Sequence, residues 1–143
     1  MGQAHARWRQ LTGGQKRQLV LLGIALPATG ALIWMLGLKR TSALYEWLGG
    51  QPLLRPAGPQ DLQEAEALAQ LANIVGRRGP IKSTCLRQAV LLRVWLRRRG
   101  LDARLKIGVQ KTNGQLDAHA WVELEGTPLA QPNLTHHPFP DPL

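Results

Sequence analysis

The sequence predicts an α+β fold, with helices packed on a small antiparallel sheet and a hydrophobic helical region at the N-terminus. Three observations carry this. Apolar residues recur at helical spacing from about Cys85 to Arg99. Past Gly100 the period drops to two. An Asn113-Gly114 pair then joins two alternating stretches, as a tight hairpin requires. A chain of 143 residues suits one such domain.

The first 18 residues are polar and basic, with His5, Arg7, Trp8, Arg9, Lys16 and Arg17. Leu19 to Leu38 then runs without a charge, bracketed by Lys16-Arg17 and Lys39-Arg40. That length just suffices to cross a bilayer. Pro27, Thr29 and three glycines make the run only moderately apolar, and basic residues at both ends give no orientation signal. Three readings stand: a spanning helix, a buried hydrophobic helical hairpin, or a helix lying in the membrane interface. The run lacks the small-residue cleavage site of a signal peptide. Pro27 is expected to kink or break it.

Thr41 to Leu48 reads as a short helix ended by Gly49-Gly50. Residues 51–60, with Pro52, Pro56 and Pro59, read as a linker. The expected division is therefore 1–50 as a hydrophobic, basic region with possible membrane association, 51–60 as linker, and 61–143 as the chemical domain. Asp61 to Val75 is a second helix, with Leu62, Ala65, Leu68, Leu71, Ala72 and Val75 at helical spacing and a stop over Gly76 to Pro80.

The Cys85 helix has Leu86, Ala89, Val90, Val94 and Leu96 on one face and Arg87, Arg93, Arg97 and Arg98 on a basic one. Ser83 or Thr84 can cap its start, and Gly100 can follow its end in the left-handed region. Leu105, Ile107 and Val109 alternate along a first strand, and Ala118 to Leu124 returns. Glu125-Gly126 makes a second turn, and Thr127 to Gln131 a short edge strand that tolerates Pro128. The proline-rich tail with His136-His137 reads as irregular.

Net charge is +9, unevenly spread. Residues 1–60 hold seven basic residues and one acidic, whereas residues 61–143 hold eleven and eight. This points to an anionic partner or a membrane surface. Nucleic acid is not indicated, because recognition motifs are missing and only one tyrosine and one phenylalanine are present for stacking. One cysteine excludes an internal disulfide and a cysteine-rich metal site. His136-His137 has no third ligand at fixed spacing, so no metal is expected. The absence of a Gly-rich phosphate loop argues against ATP chemistry in this chain, and no cofactor is expected.

The chemistry centres on Cys85. It falls in the first turn of its helix, where free backbone N–H groups favour a thiolate and can hold an oxyanion. His119 shares a strand face with Asp117, Trp121 and Glu123. If the Cys85 helix packs on the sheet, its first turn can approach His119 and form a thiolate–imidazolium pair, with a third group orienting the ring. On the residues alone both positions stay open. Cys85 is also read as a small buried hydrophobe, and His119 as a histidine satisfied by backbone groups.

Four runs in order add a family resemblance: Ser83-Thr84-Cys85-Leu86-Arg87-Gln88-Ala89, Leu96-Arg97-Arg98-Arg99-Gly100, Leu105-Lys106-Ile107-Gly108-Val109 and Ala118-His119-Ala120-Trp121-Val122-Glu123. Together they resemble lasso-peptide biosynthesis B2 proteins and the transglutaminase-like domain of microcin-processing proteins. The resemblance implies a papain/transglutaminase-like cysteine peptidase core that removes the leader from a ribosomally made precursor. Cys85 would be the nucleophile and His119 the base and acid. The family's third residue, an aspartate, falls at Gln131 here, which is a departure. Glutamine orients an imidazole but cannot stabilise its charge, and papain-like sites accept a neutral asparagine in this role. Asn133 and Asp117 are the alternative orienting residues, while Asp141 is poorly placed. The implied partners are the precursor peptide, a small leader-binding B1 protein and an ATP-dependent macrolactam cyclase. The implied place is the cytoplasm, with the inner face of the membrane as an alternative seat. Two rival readings are a catalytically impaired adaptor of the maturation complex and a membrane-anchored interaction protein. Transfer to an amine would use the same residues as hydrolysis.

Overall fold

A computed structural model describes residues 12–50, 53–78 and 84–140. His5, Arg7, Trp8, Arg9, Pro52, Gly79-Pro80, the alternative cap Ser83, and Asp141 lie outside the described residues. The described chain is an α+β fold of four helices followed by four strands. The helices are α1 (Gly13–Leu36), α2 (Leu38–Gly49), α3 (Pro59–Arg78) and α4 (Cys85–Arg98). The strands are β1 (Ala103–Thr112), β2 (Gln115–Leu124), β3 (Thr127–Pro128) and β4 (His137–Pro138).

The hydrophobic run folds as one helix, α1, which passes through Pro27. Of the kink or break expected at Pro27, the break falls instead at Gly37, whose φ of 79° suits glycine. Pro27 removes one backbone donor, but Leu22 and Leu26 pin the adjoining turns in the core, and packing outweighs that loss. α1 and α2 form a helical hairpin about Gly37. Thr29 Oγ1 lies 2.8 Å from Tyr45 Oη, and the two residues are equally far from the turn.

Helix α3 begins at Pro59, a favoured first helical residue, and Asp61 reaches back to the Gly58 N–H at 2.9 Å. Its described residues end at Arg78, inside the expected Gly76–Pro80 stop but past Gly76 itself. The Gln88 side chain lies where a Cβ of residue 76 would sit, so this glycine serves a close approach to α4 rather than a terminus. Thr84 caps α4, and Gly100 follows that helix at φ 78°.

The sheet order is β3-β2-β1-β4, with antiparallel neighbours throughout. Asn113 and Gly114 (φ 51° and 82°) turn β1 into β2. Glu125 and Gly126 (φ 50° and 74°) turn β2 into β3, where Pro128 occupies the edge as expected. The expected third strand shortens to two residues, and the tail, expected to be irregular, adds β4 against Gly108 and Val109 of β1.

Helix α4 is the centre of the molecule. Its apolar face meets α3 and the sheet through Ala89, Leu92 and Leu96, opposite Ala120, Val122 and Leu124. On its arginine side the α1–α2 hairpin covers Arg93 and meets Arg87 and Arg98, while Arg98 and Arg99 at the helix end stay exposed. Arg93 is only 7% exposed and donates to Glu46 Oε1 at 2.8 Å. Arg98 donates to the Leu48 carbonyl at 3.5 Å. The Arg87 guanidinium lies 2.6 Å from where a Cβ on Gly30 would stand, so the missing side chain there makes room for it.

Candidate active site

Cys85 is the first residue of α4. Thr84 adopts extended backbone (φ −72°, ψ 156°), and its Oγ1 accepts a 3.5 Å hydrogen bond from the Arg87 N–H. The sulfur carries no disulfide and is partly buried. It opens onto a cleft between α3, α4 and β2 that is also lined by His119 and Gln131. The cleft encloses only about 30 Å³, with Ala69, Ala72, Ala89 and Ala120 among its walls. So small a space admits only water-sized groups, and an extended chain would lie across the mouth rather than enter.

His119 is held by four neighbours. Along β2 it pairs with Gly108 of β1. Its Nε2 lies 2.9 Å from Gln131 Oε1. An amide oxygen only accepts, so Nε2 carries the proton and Nδ1 is the basic nitrogen of the neutral ring. Trp121, two residues on and 2% exposed, stacks beside it at 6.1 Å between centroids and 20° between planes. The Trp121 indole N–H donates to Glu123 Oε1 at 3.1 Å. From the tail, His136 packs on the ring at 5.1 Å and 40°.

Gln131 reaches the ring because its segment is pinned. The Leu129 N–H donates to the Val122 carbonyl at 2.9 Å. Ala130, at φ 51°, donates its N–H to Glu66 Oε2 of α3 at 2.7 Å. Glu66 is the positioning group that sequence reasoning missed. Its place in an early turn of α3 is explained by the helix dipole alone, and nothing local shows that its carboxylate spans to residue 130.

The two alternative orienting residues lie elsewhere. Asp117 turns to the tail, where its Oδ2 lies 3.2 Å from His136 Nε2 and accepts from Gln110 Nε2 at 3.3 Å. Those bonds, Gln110 first and His136 second, hold its carboxyl below the usual value. Asn133 is exposed and is not among the residues lining the cleft. Thr135 donates to Gln110 Oε1 and ties the tail to β1. Gly108 permits this layer: a Cβ there would stand 2.6 Å from the His137 carbonyl oxygen and 2.8 Å from the Trp121 ring.

The arrangement combines a thiol at a helix start with an oriented imidazole, a combination suited to acyl transfer through a thioester. No curated protein and no solved structure matches the chain. The family model described as the transglutaminase-like superfamily, which includes cysteine peptidases and acyl transferases, matches residues 30–140, from the second half of α1 to the tail beyond β4. The chain belongs to the transglutaminase-like superfamily.

Proposed function

We propose that the chain is a cysteine peptidase that removes the leader from a lasso-peptide precursor in the cytoplasm. It would act with a separate leader-binding B1 protein, beside an ATP-dependent macrolactam cyclase. One observation carries the reading: Cys85 at the start of α4, His119 and Gln131 line a single cleft, with Gln131 on the ring nitrogen. The order of the runs that resemble B2 proteins supports the choice of substrate.

In this mechanism His119 Nδ1 takes the Cys85 proton. The thiolate adds to the scissile carbonyl carbon, and backbone N–H groups of the first turn of α4 hold the oxyanion. The C–N bond breaks as His119 returns the proton to the departing amine. Water, deprotonated by His119, then hydrolyses the thioester. Gln131 keeps Nε2 protonated throughout. The shallow cleft fits a main chain laid across it and leaves leader recognition to the partner.

The deciding assay mixes purified chain, leader-binding partner and precursor, and follows cleavage by mass spectrometry. Cys85→Ala and His119→Ala should each abolish cleavage while keeping the wild-type circular dichroism. Undiminished cleavage by Cys85→Ala would sink the proposal. The uncharged Gln131 also favours a second reading, a non-catalytic adaptor, which selective alkylation of Cys85 at neutral pH would oppose. A product carrying an added amine instead of a free carboxylate would redirect the activity to transfer.

A further inference from the structure

Helix α1 divides sharply between two faces. Leu22, Leu26 and Thr29 are each at most 2% exposed and belong to the domain interior. On the opposite side Val20, Ile24, Ala31 and Met35 follow one another at spacings of four, seven and four, which places them on a single helical stripe. Ile24 is 66% exposed, Met35 70%, and Trp34, at the stripe's edge, 86%. An apolar groove of about 400 Å³ adjoins this face between Leu21, Ala25, Leu91 and Trp95, with Arg98 and Arg99 in its walls.

Charge identifies what this face meets. No acidic residue precedes Glu46. Arg17 at one end of the stripe, and Lys39 and Arg40 just past the other, are exposed, and Lys16 is partly so. A helix of 24 residues is about 36 Å long. Were it to cross a bilayer, these cations would be split between two sides. Lying flat, it brings both basic ends to one leaflet.

By length and hydropathy alone α1 could span. The packing argues against this. Spanning would strip Leu22, Leu26 and Thr29 from the core. Otherwise it would draw the Arg87 guanidinium, which sits against Gly30 more than one turn inside the C-terminal end of the helix, toward hydrocarbon.

We propose that the exposed face of α1 seats the protein on an anionic bilayer surface, with the helix axis in the membrane plane and Trp34 in the interfacial layer. The apolar stripe supplies insertion to the depth of the headgroup–acyl boundary, and the basic ends supply attraction to anionic lipid. This docking is independent of the chemistry of the cleft.

The test is sedimentation of the full-length chain with vesicles of phosphatidylcholine, alone or with one-third phosphatidylglycerol. Binding should be at least about tenfold tighter to the anionic vesicles and weaken by a similar factor as salt rises to about 0.5 M. Tryptophan emission should shift to the blue, be quenched more by lipids brominated near the headgroup than near the chain end, and lose most of the shift in Trp34→Phe. Ile24→Glu, and separately Lys39→Glu with Arg40→Glu, should each lower binding about tenfold or more with circular dichroism unchanged. Equal binding to both vesicle types would overturn the proposal, as would no binding to either. Strongest quenching at the bilayer centre would replace it with a spanning helix. A dimer that Ile24→Glu dissociates, in a chain that ignores vesicles, would assign the face to a second copy.

Discussion

Removing the side chain of Gln131 tests the proposed site at its least charged member. Gln131→Ala deletes a single acceptor, 2.9 Å from His119 Nε2, within a part-buried pair. In the transition state for amine departure the donor is an imidazolium, and a hydrogen bond to a charged group contributes about 1.5–3 kcal/mol. Partial exposure favours the lower half of that range, so about 2 kcal/mol is at stake, or roughly 30-fold in kcat/KM. Iodoacetamide alkylation of Cys85 at neutral pH gives a readout that needs no precursor, and it should slow in the same direction. Glu66→Ala supplies an independent check, because it frees the Ala130 N–H that the carboxylate holds at 2.7 Å. If Glu66 acts only by placing Gln131, the double variant should be no slower than Gln131→Ala alone, a coupling that a purely structural role would not produce. Activity of Gln131→Ala within twofold of wild type, alongside a dead His119→Ala, would show that the amide orients nothing that matters.

Other perturbations test the scaffold. Gly108→Ala inserts a methyl 2.6 Å from the His137 carbonyl oxygen and 2.8 Å from Trp121; it should destabilise by about 1–3 kcal/mol in denaturant melts and make the tail more susceptible to proteolysis. Glu46→Ala leaves Arg93, 7% exposed, without its carboxylate, and the loss should be about 1–3 kcal/mol because Glu46 itself is half-exposed; an equal loss from Glu46→Gln would show that charge contributes little. Asp61, drawn down to about 2 by Arg55 and then by the Gly58 N–H, contributes stability that is complete above 3.8 and is lost as pH falls through about 2, so Asp61→Asn should flatten that part of an acid titration. Asp117, lowered by Gln110 and His136, has the same sign: its hold on the tail is complete above 3.8 and fades as acid carries the pH through its lower folded value, observable as accelerated amide exchange in 135–139.

What was legible in the sequence is what local chemistry dictates. The cap at Thr84, the reversal at Asn113-Gly114 and the period-two strands each follow from a few adjacent residues, and they bring Cys85 and His119 to one cleft. The unread features all involve partners far apart in the chain. Nothing near Gly76 shows that Gln88 will fill its Cβ space, so a glycine inside α3 looks like a stop. Nothing near Pro27 shows that core packing will carry α1 through it. The tail is rich in proline, which argues for irregular structure, yet its one short strand is set by Gly108, twenty-nine residues before His137.

The same reasoning explains why the hydrophobic N-terminal region belongs with the site. A helix that carries arginines on one side and leucines on the other should leave the arginines in water. Helix α4 withdraws Arg93 from water, because Glu46 of α2 accepts from it; Arg98 stays exposed while donating to the Leu48 carbonyl, and Gly30 of α1 makes space for the half-buried Arg87. Arg87 is two residues from Cys85, and its own backbone N–H is the one that Thr84 caps. The turn that carries the sulfur is therefore fastened on one side to the sheet and α3 and on the other to α1. Loss of α1 would strip Arg87 of its seat against Gly30 and open the side of the core that Leu22 and Leu26 fill. Deleting residues 1–36 should accordingly cost the Cys85 turn its order, and not merely a membrane contact. Ile24→Glu separates the two effects, since Ile24 points away from α4's side of α1 and its replacement should leave Cys85 alkylation at the wild-type rate.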